Sequence, residues 1–289
     1  MANKEIDELS GVETTGHDWD GIKELNNPLP RWWLWTFYIT IVWSIGYCIA
    51  YPAIPMITKA TDGMLGYSSR AEVEQEIADA KAAQADKLDK IASMTTDEIA
   101  ADPVLNQFAV NGGRSVFKVY CEQCHGSGAV GAPGYPNLND DDWIWGGSLE
   151  EIEFTLRHGV RYAADDDSRF SEMPAFGASE LLSRDEIQNV SAYVRNLASL
   201  DHDADMASAG QPIYEEHCAA CHGAEGKGDR ATGAPNLTDP IWLYGSTTDE
   251  IVAQVHKPKH GVMPGWNQRL DDAVIKQLTL YVHSLGGGE

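Results

Sequence analysis

The sequence predicts an all-α protein with one transmembrane helix near its N-terminus, followed by two similar helical domains in tandem. An uncharged run of 20 residues, positions 32–51, supports the transmembrane helix. Two later segments repeat the same motifs at an offset of 97 residues, and neither shows a convincing alternating strand pattern. A length of 289 residues leaves room for two small domains beside a membrane anchor.

The composition excludes several classes of protein. Hydrophobic residues make up 43% of the chain and charged residues 22%, which excludes a polytopic membrane protein, a collagen-like chain and a mostly disordered one. Lys and Arg number 21 against 44 Asp and Glu, a net charge of −23. Nucleic-acid binding needs basic residues to neutralise phosphates, so we expect no nucleic-acid partner. A basic protein partner suits this charge better.

The uncharged run WWLWTFYITIVWSIGYCIAY is interpreted as a signal anchor, with the membrane segment placed at residues 32–57. Twenty helical residues span about 30 Å, the hydrocarbon thickness of a bilayer. The helix is apolar on every face, which argues against a buried helix of a soluble protein. It is also too long for the apolar region of a cleavable signal peptide, and no small-residue cleavage site follows it. Pro52 and Pro55 should end the helix.

Basic residues next to the anchor predict its orientation. Arg31 abuts the N-terminal end with Lys23 and Lys4 behind it, whereas Lys59 is the only nearby basic residue on the other side. The positive-inside rule then places residues 1–31 in the cytoplasm and the chain after about residue 58 outside.

Residues 58–104 are predicted to form a helical spacer. The stretch RAEVEQEIADAKAAQADKLDKIAS, positions 70–93, is rich in Ala, Glu and Lys and carries only a thin apolar stripe. We therefore expect a mostly exposed helix. Thr95 or Thr96 is expected to cap a short helix that ends before Asp102-Pro103.

The internal repeat defines two further domains, residues 105–200 and residues 201–289. Each copy carries a Cys-x-x-Cys-His motif, a His-Gly-Val motif, a Met-Pro pair and a final apolar helical stripe. The matched positions are Gly113 with Gly210, Phe117 with Tyr214, Cys121 with Cys218, Pro136 with Pro235, His158 with His260, and Met173 with Met263.

Cys-x-x-Cys-His is the attachment signature of c-type haem. Positions i, i+3 and i+4 project from one face of a helix, so two thiols can bond the porphyrin vinyl groups while the adjacent imidazole points at the iron. A zinc site would need the two Cys pairs close together in sequence, and a thioredoxin-like disulfide would need a βαβ context, so both alternatives are disfavoured. The expected cofactors are two haem c groups, held by Cys121, Cys124 and His125 and by Cys218, Cys221 and His222.

Met173 and Met263 are the expected sixth ligands. Each is followed by Pro and precedes the final helix of its copy, although a Met is often only core filler. His158, His256 and His260 are the competing ligands. Ligation within each copy is favoured, and exchange of the two Met residues between haems stays open. His/Met ligation fills both axial positions, which predicts electron transfer rather than a catalytic site.

These features resemble the dihaem cytochrome c subunit, CcoP or FixP, of cbb3-type cytochrome c oxidases. The anchor beginning Pro28-Leu29-Pro30-Arg31-Trp32-Trp33 is the most discriminating part of the resemblance. It implies two class I-like cytochrome c domains on the periplasmic side of the bacterial inner membrane. It also implies a donor cytochrome c or the cytochrome bc1 complex, and acceptance by a monohaem cytochrome subunit and a haem–copper catalytic subunit that reduces O2 and pumps protons. By position, Met173 would serve the haem of His125 and Met263 that of His222.

Two other functions compete with this one. A dihaem peroxidase would need an open or displaceable axial site, which the two Met-Pro pairs argue against. An electron-transfer subunit of another membrane redox complex is compatible with the haem motifs, and only the resemblance of the anchor disfavours it.

Overall fold

The computed structural model describes residues 5–288, so Lys4 lies outside the described residues. It is mostly helical, as the sequence predicts. Within those residues the helices are α1 Arg31–Ala50, α2 Ser69–Ser93, α3 Thr96–Ala101, α4 Pro103–Tyr120, α5 Glu122–His125, α6 Leu149–His158, α7 Arg184–Leu197, α8 Ala204–His217, α9 Ala219–His222, α10 Thr248–His256 and α11 Asp272–His283. A short 3-10 turn, Ser127–Ala129, follows α5.

The segment before the anchor contains a β-hairpin that the sequence analysis missed. Strand β1, Thr14–Trp19, pairs antiparallel with β2, Ile22–Leu25. Asp20 and Gly21 connect them, with φ angles of 53° and 89°. Positive φ at both central residues is the geometry that Asp-Gly favours in two-residue hairpins, so this dipeptide was the available signal.

Helix α1 is long and apolar enough to cross a membrane, and none of its residues is buried. The helix begins at Arg31 and ends at Ala50, whereas the expected anchor segment, residues 32–57, extends beyond it at the C-terminal end. Pro52 follows two residues later and cannot supply a backbone donor to continue the helix. Aromatic rings line its C-terminal half, where Trp43, Tyr47 and Tyr51 stack in sequence.

The spacer helix and its neighbour form as expected. Helix α2 is exposed except at its C-terminal end, where Ile91 is fully buried. Thr95 caps α3 in a capping box with Glu98, in which each residue bonds the other's backbone N–H. Asp102 then caps α4, whose first residue is Pro103. Ile91 packs in one cluster with Ile99 and Leu105, so these three helices meet in a common core.

The described chain divides into two compact units, one up to Ala83 and one from Gln84 onward. The second unit contains both sequence repeats. Its main helix pairs are α4 with α11 and α7 with α8. The first helix of each copy therefore packs on the last helix of the other copy. The segments 105–200 and 201–289 are repeats in sequence, but neither forms a separate packing unit in space.

The repeated glycines explain how these helices approach so closely. A Cβ on Gly113 of α4 would lie 2.1 Å from the carbonyl oxygen of Gln277 in α11. A Cβ on Gly210 of α8 would lie 2.0 Å from the carbonyl oxygen of Asn189 in α7. Only glycine permits such contact between two helix backbones. The matched aromatic residues Phe117 and Tyr214 pack at the same helix crossings. The ring centroid of Phe117 lies 5.3 Å from that of Tyr281, and the ring centroid of Tyr214 lies 5.2 Å from that of Tyr193.

Two apolar cores result, each built from both copies. Core one unites the first Cys motif with the end of the second copy, and its buried members are Phe117, Cys121, Ala129, Ile152, Leu156, Ile275, Leu278 and Val282. Core two unites the second Cys motif with the end of the first copy, and its buried members are Phe176, Leu182, Ile187, Val190, Val194, Tyr214, Cys218, Ile251 and Val255.

Candidate haem sites

Each Cys-x-x-Cys-His motif forms a single helical turn at the end of a long helix. Helix α4 ends at Tyr120, and the amides of Cys124 and His125 donate to the carbonyl oxygen of Cys121 at 3.1 and 2.9 Å. These bonds close a helical turn over the motif, the local geometry that the spacing predicts. Helix α8 is followed by the same turn in the second copy, where Cys221 and His222 donate to Cys218 at 3.1 and 3.0 Å.

The two sulfurs of each motif differ in environment. Cys121 and Cys218 are buried, whereas Cys124 and Cys221 are exposed, and within residues 5–288 all the cysteines are free thiols. Burial raises the pKa of Cys121 to about 11, and it raises the pKa of Cys218 equally, because a thiolate is poorly stabilised in an apolar core. One sulfur of each motif is thus embedded in a core, and the other stands at the surface.

The histidines are held in the tautomer that a metal ligand requires. The Nδ1–H of His125 donates to the carbonyl oxygen of Pro136 at 3.0 Å, and that of His222 donates to Pro235 at 3.0 Å. Burial lowers the pKa of both imidazoles. A neutral ring with its proton on Nδ1 leaves the Nε2 lone pair available for iron. Pro136 and Pro235 were matched in the sequence repeat, but sequence reasoning assigned them no role.

The methionines are paired with the Cys motifs across the copies. Met263 packs on the core that contains Cys121, and Met173 packs on the core that contains Cys218. The sequence analysis favoured pairing within each copy, whereas the structure packs each methionine with the Cys motif of the other copy. The physical reason is that the copies have equivalent surfaces, so the last third of either copy can complete the core of either Cys motif.

Backbone hydrogen bonds fix Met263 in this position. Its N–H and C=O both pair with Val160 of the first copy, at 3.0 and 2.9 Å. Trp266 donates to the carbonyl oxygen of Leu156, at the end of α6. The second copy holds the other methionine segment in the same way, since Gly177 and Ala178 donate to the carbonyl oxygen of His256, at the end of α10.

The competing histidines are engaged or exposed. His158 is half-buried, and its Nδ1 lies 3.1 Å from a carboxylate oxygen of Asp165. His256 and His260 are exposed. His256 instead contributes its carbonyl oxygen to the segment after Met173.

The surroundings of the motifs fit a haem. Each motif offers two thiols and a neutral imidazole, and a methionine thioether packs on the core that holds the buried thiol. Among the described residues, Nε1 of Trp242 and Nε of Arg169 are buried donors without a hydrogen-bond partner. Trp242 packs against the core of Cys218. Buried donors of this kind need an acceptor, and a haem propionate would supply one. The sequence analysis did not identify these two residues, because a single Trp or Arg carries no local signature.

Comparisons with known proteins agree with this site. The family described as the N-terminal domain of cytochrome oxidase-cbb3, FixP, matches residues 11–58, and the family described as cytochrome C oxidase, cbb3-type, subunit III, matches 108–194 and 205–282. The chain is 58% identical to the cbb3-type cytochrome c oxidase subunit FixP of Sinorhizobium medicae, covering 99% of both chains. It is 52% identical to subunit CcoP of Cereibacter sphaeroides, covering 96% of this chain and 95% of that protein. These matches confirm the resemblance that the anchor and motifs indicated.

Proposed function

The chain belongs to the FixP/CcoP family of cbb3-type cytochrome c oxidase subunits, and we propose that it is the membrane-anchored dihaem electron carrier of such an oxidase. It would accept electrons from a donor cytochrome c or the cytochrome bc1 complex. It would pass them to the monohaem cytochrome subunit and the haem–copper catalytic subunit, where O2 is reduced to water with proton pumping. The observation that carries this proposal is the presence of two Cys-x-x-Cys-His turns, each sharing a core with a methionine.

The proposed ligand sets cross between the copies. Cys121 and Cys124 would hold one haem c, with His125 and Met263 as axial ligands. Cys218 and Cys221 would hold the other, with His222 and Met173 as axial ligands. When bound, haem c supplies an iron that takes up and releases one electron.

The chain's own residues would keep each iron six-coordinate. The carbonyl oxygens of Pro136 and Pro235 fix the proton of each imidazole on Nδ1, and burial favours the neutral ring by lowering its pKa. The backbone pairing of Met263 with Val160 holds that thioether beside the core of Cys121. With a histidine and a methionine of the chain holding each iron, no position would be left for peroxide or O2. This argues against the dihaem peroxidase and for a role in electron transfer without a catalytic site of the chain's own.

The placement of the chain in the cell follows from the anchor. We place α1 in the bacterial inner membrane, in contact with lipid, because all its faces are apolar and exposed. Arg31 is the first residue of the helix, Lys23 precedes it and Lys59 follows it, which supports a cytoplasmic N-terminus and periplasmic haem domains.

Purification of the tagged chain in mild detergent tests this function. The expected result is an O2-reducing complex that contains the haem–copper and monohaem subunits, and two covalent haems on this chain after denaturing electrophoresis and pyridine haemochrome assay. Recovery with the subunits of a different membrane redox enzyme would favour the alternative carrier role. Peroxide turnover by the purified chain would favour the peroxidase.

A further inference from the structure

Two loops carry the carbonyl groups that hold the proximal histidines. The His125 loop, residues 131–137, contains Pro136, and the His222 loop, residues 228–236, contains Pro235. Each loop also returns to its own motif, since Gly131 donates to the carbonyl oxygen of His125 and Gly228 donates to that of His222. The position of each loop therefore decides where the acceptor for its histidine lies.

An aromatic side chain of the first copy covers the His222 loop. The ring of Trp145 lies against Gly233, two residues before Pro235, so closely that a Cβ on Gly233 would be 2.2 Å from the ring. The Arg169 guanidinium also lies over the indole, 5.3 Å from the ring centroid. Trp145 therefore contacts both Arg169 and the loop, and its ring occupies the space next to Gly233.

The second copy makes the equivalent contact with the His125 loop of the first copy. Tyr244, which matches Trp145 in the repeat, lies against Gly134 of the His125 loop, and a Cβ on Gly134 would be 3.4 Å from the Tyr244 ring. The amide of Gly134 also donates to the carbonyl oxygen of Leu243 at 2.8 Å. The two contacts are related by the repeat but differ in tightness, since the Trp145 contact leaves no room for a methyl group and the Tyr244 contact does.

We propose that Trp145 and Tyr244 are positioning residues that act across the copies, Trp145 on the loop that buttresses His222 and Tyr244 on the loop that buttresses His125. The hydrogen bond from Nδ1 to a carbonyl orients a ligating histidine and raises its basicity. A side chain in one copy that holds this carbonyl in place would therefore alter the reduction potential of the haem in the other copy. This inference rests on the proposed haem ligation, but the packing of the loops is testable without it.

Trp145→Ala in the full-length chain, purified with its complex, is the first test, and hydrogen–deuterium exchange by mass spectrometry is its readout. Amides of Asp229 and Ala234 bond each other's carbonyls within the His222 loop. We expect these amides to exchange about tenfold faster in Trp145→Ala, while peptides covering 131–137 exchange as in the parent chain. Trp145→Tyr, which installs the residue of the second copy, should restore most of the protection. Tyr244→Ala should show the converse pattern with a smaller change.

A redox titration followed by absorbance is the second readout. Trp145→Ala should shift the midpoint potential of one of the two haems and leave that of the other unchanged. Tyr244→Ala should shift the midpoint potential of the haem that Trp145→Ala does not affect. Faster exchange in 131–137 with Trp145→Ala, equal movement of both transitions, or no rescue by Trp145→Tyr would overturn the inference. If the haem assignment itself were wrong, the chain would show no pair of haem transitions, whereas the exchange pattern would still report on the loops.

Discussion

Met173 and Met263 differ from an ordinary buried methionine by what surrounds them. Each packs on a core that also holds one cysteine of a haem motif, and the two cores exchange them between the copies. A thioether used only as filler would be replaceable by any apolar side chain of similar size, whereas a ligand would not. Under the proposed ligation, the identity of the residue, and not only its volume, would decide the state of the iron.

Replacing Met263 with Ala should open one iron per chain to CO, because the other sulfur of that core, on Cys121, would already be bonded to the haem. In a chain with Cys218→Ser and Cys221→Ser, which keeps only the haem of Cys121, Met263→Ala should open CO binding and Met173→Ala should not. CO difference spectra of the reduced protein measure this. Met206→Ala is the matched control, since Met206 is a partly buried methionine outside both Met-Pro pairs. If CO bound in that background to the Met173→Ala variant and not to the Met263→Ala variant, the methionine ligand would come from the same copy as the Cys motif.

At the scale of helices, the crossing of α4 and α11 depends on Gly113. Gly113→Ala would push a methyl group into the backbone of α11 and should cost about 1–3 kcal/mol of stability, as overpacking does. Gly112→Ala is the control, because its new methyl group would meet only the flexible side chain of Gln277, and Ala favours a helix over Gly by about 1 kcal/mol. Thermal unfolding should separate the two variants. Equal melting temperatures would show that α11 does not cross at Gly113.

The loop before α6 in the first copy contains a carboxyl group, that of Asp142, whose pKa is raised. Burial, followed by the charges of Asp239 and Asp140, raises the pKa of Asp142 to about 6. An acid with a higher pKa in the folded state destabilises the fold when it ionises. The stability contributed by the protonated Asp142 carboxyl is fully present below a pH of about 4. It is lost as the pH rises to about 6, and it does not change further above that.

Asp142→Asn should therefore gain stability relative to the parent chain as the pH rises from about 4 to about 6. Partial exposure of the side chain limits the gain to about 1 kcal/mol near pH 7. Melting temperatures of both chains at several pH values measure the difference. Asp141→Asn, in the same acidic run but exposed, should show a smaller and less pH-dependent difference. A constant difference for Asp142→Asn across this range would contradict the displaced pKa.

For the whole molecule, the exchange of helices makes the two haem sites depend on each other. A chain that stops after residue 200 loses α11 and Met263, so the apolar face of α4 has no partner. We expect this fragment to aggregate or to carry a haem without a methionine ligand, which an absorbance spectrum and CO binding would reveal. A well-folded fragment with a normal His/Met spectrum would show that the first copy is an independent domain.

The acidity of the whole chain predicts salt-sensitive electron delivery. The first copy has extra residues between its His-Gly-Val and Met-Pro motifs, and here Asp166 and Asp167 are exposed while Arg161 turns inward to the carbonyl oxygens of Gly261 and Ser171. The Debye length falls from about 30 Å at 0.01 M salt to about 10 Å at 0.1 M, so attraction of a basic donor should weaken over this range.

We expect electron transfer from a basic cytochrome c to slow steeply between these salt concentrations in stopped-flow measurements. Asp166→Asn with Asp167→Asn should lower the association rate by about threefold to tenfold and leave maximal turnover unchanged. The matched control is Glu74→Gln with Glu76→Gln, which removes two exposed charges from α2. An electron-transfer rate that does not change with salt concentration would indicate an apolar docking patch or a donor held permanently beside the oxidase.

The sequence alone determined the features that depend on neighbouring residues. The length and apolarity of α1, the capping of α3 by Thr95 and the geometry of each Cys-x-x-Cys-His turn are local, so spacing and residue type suffice to predict them. The hairpin around Asp20-Gly21 was local too, and its signal was overlooked.

Only the tertiary structure decided which methionine accompanies which Cys motif. Repeated residues give both copies equivalent core-forming surfaces, so the pattern is satisfied whether the last third of a copy folds back on itself or crosses to its neighbour. Long-range contacts break this degeneracy, among them the pairing of Val160 with Met263 and the fit of Gly113 to α11 and of Trp145 to Gly233. These three contacts join residues 88 to 164 positions apart, and no local periodicity encodes which of two equivalent partners a segment will choose.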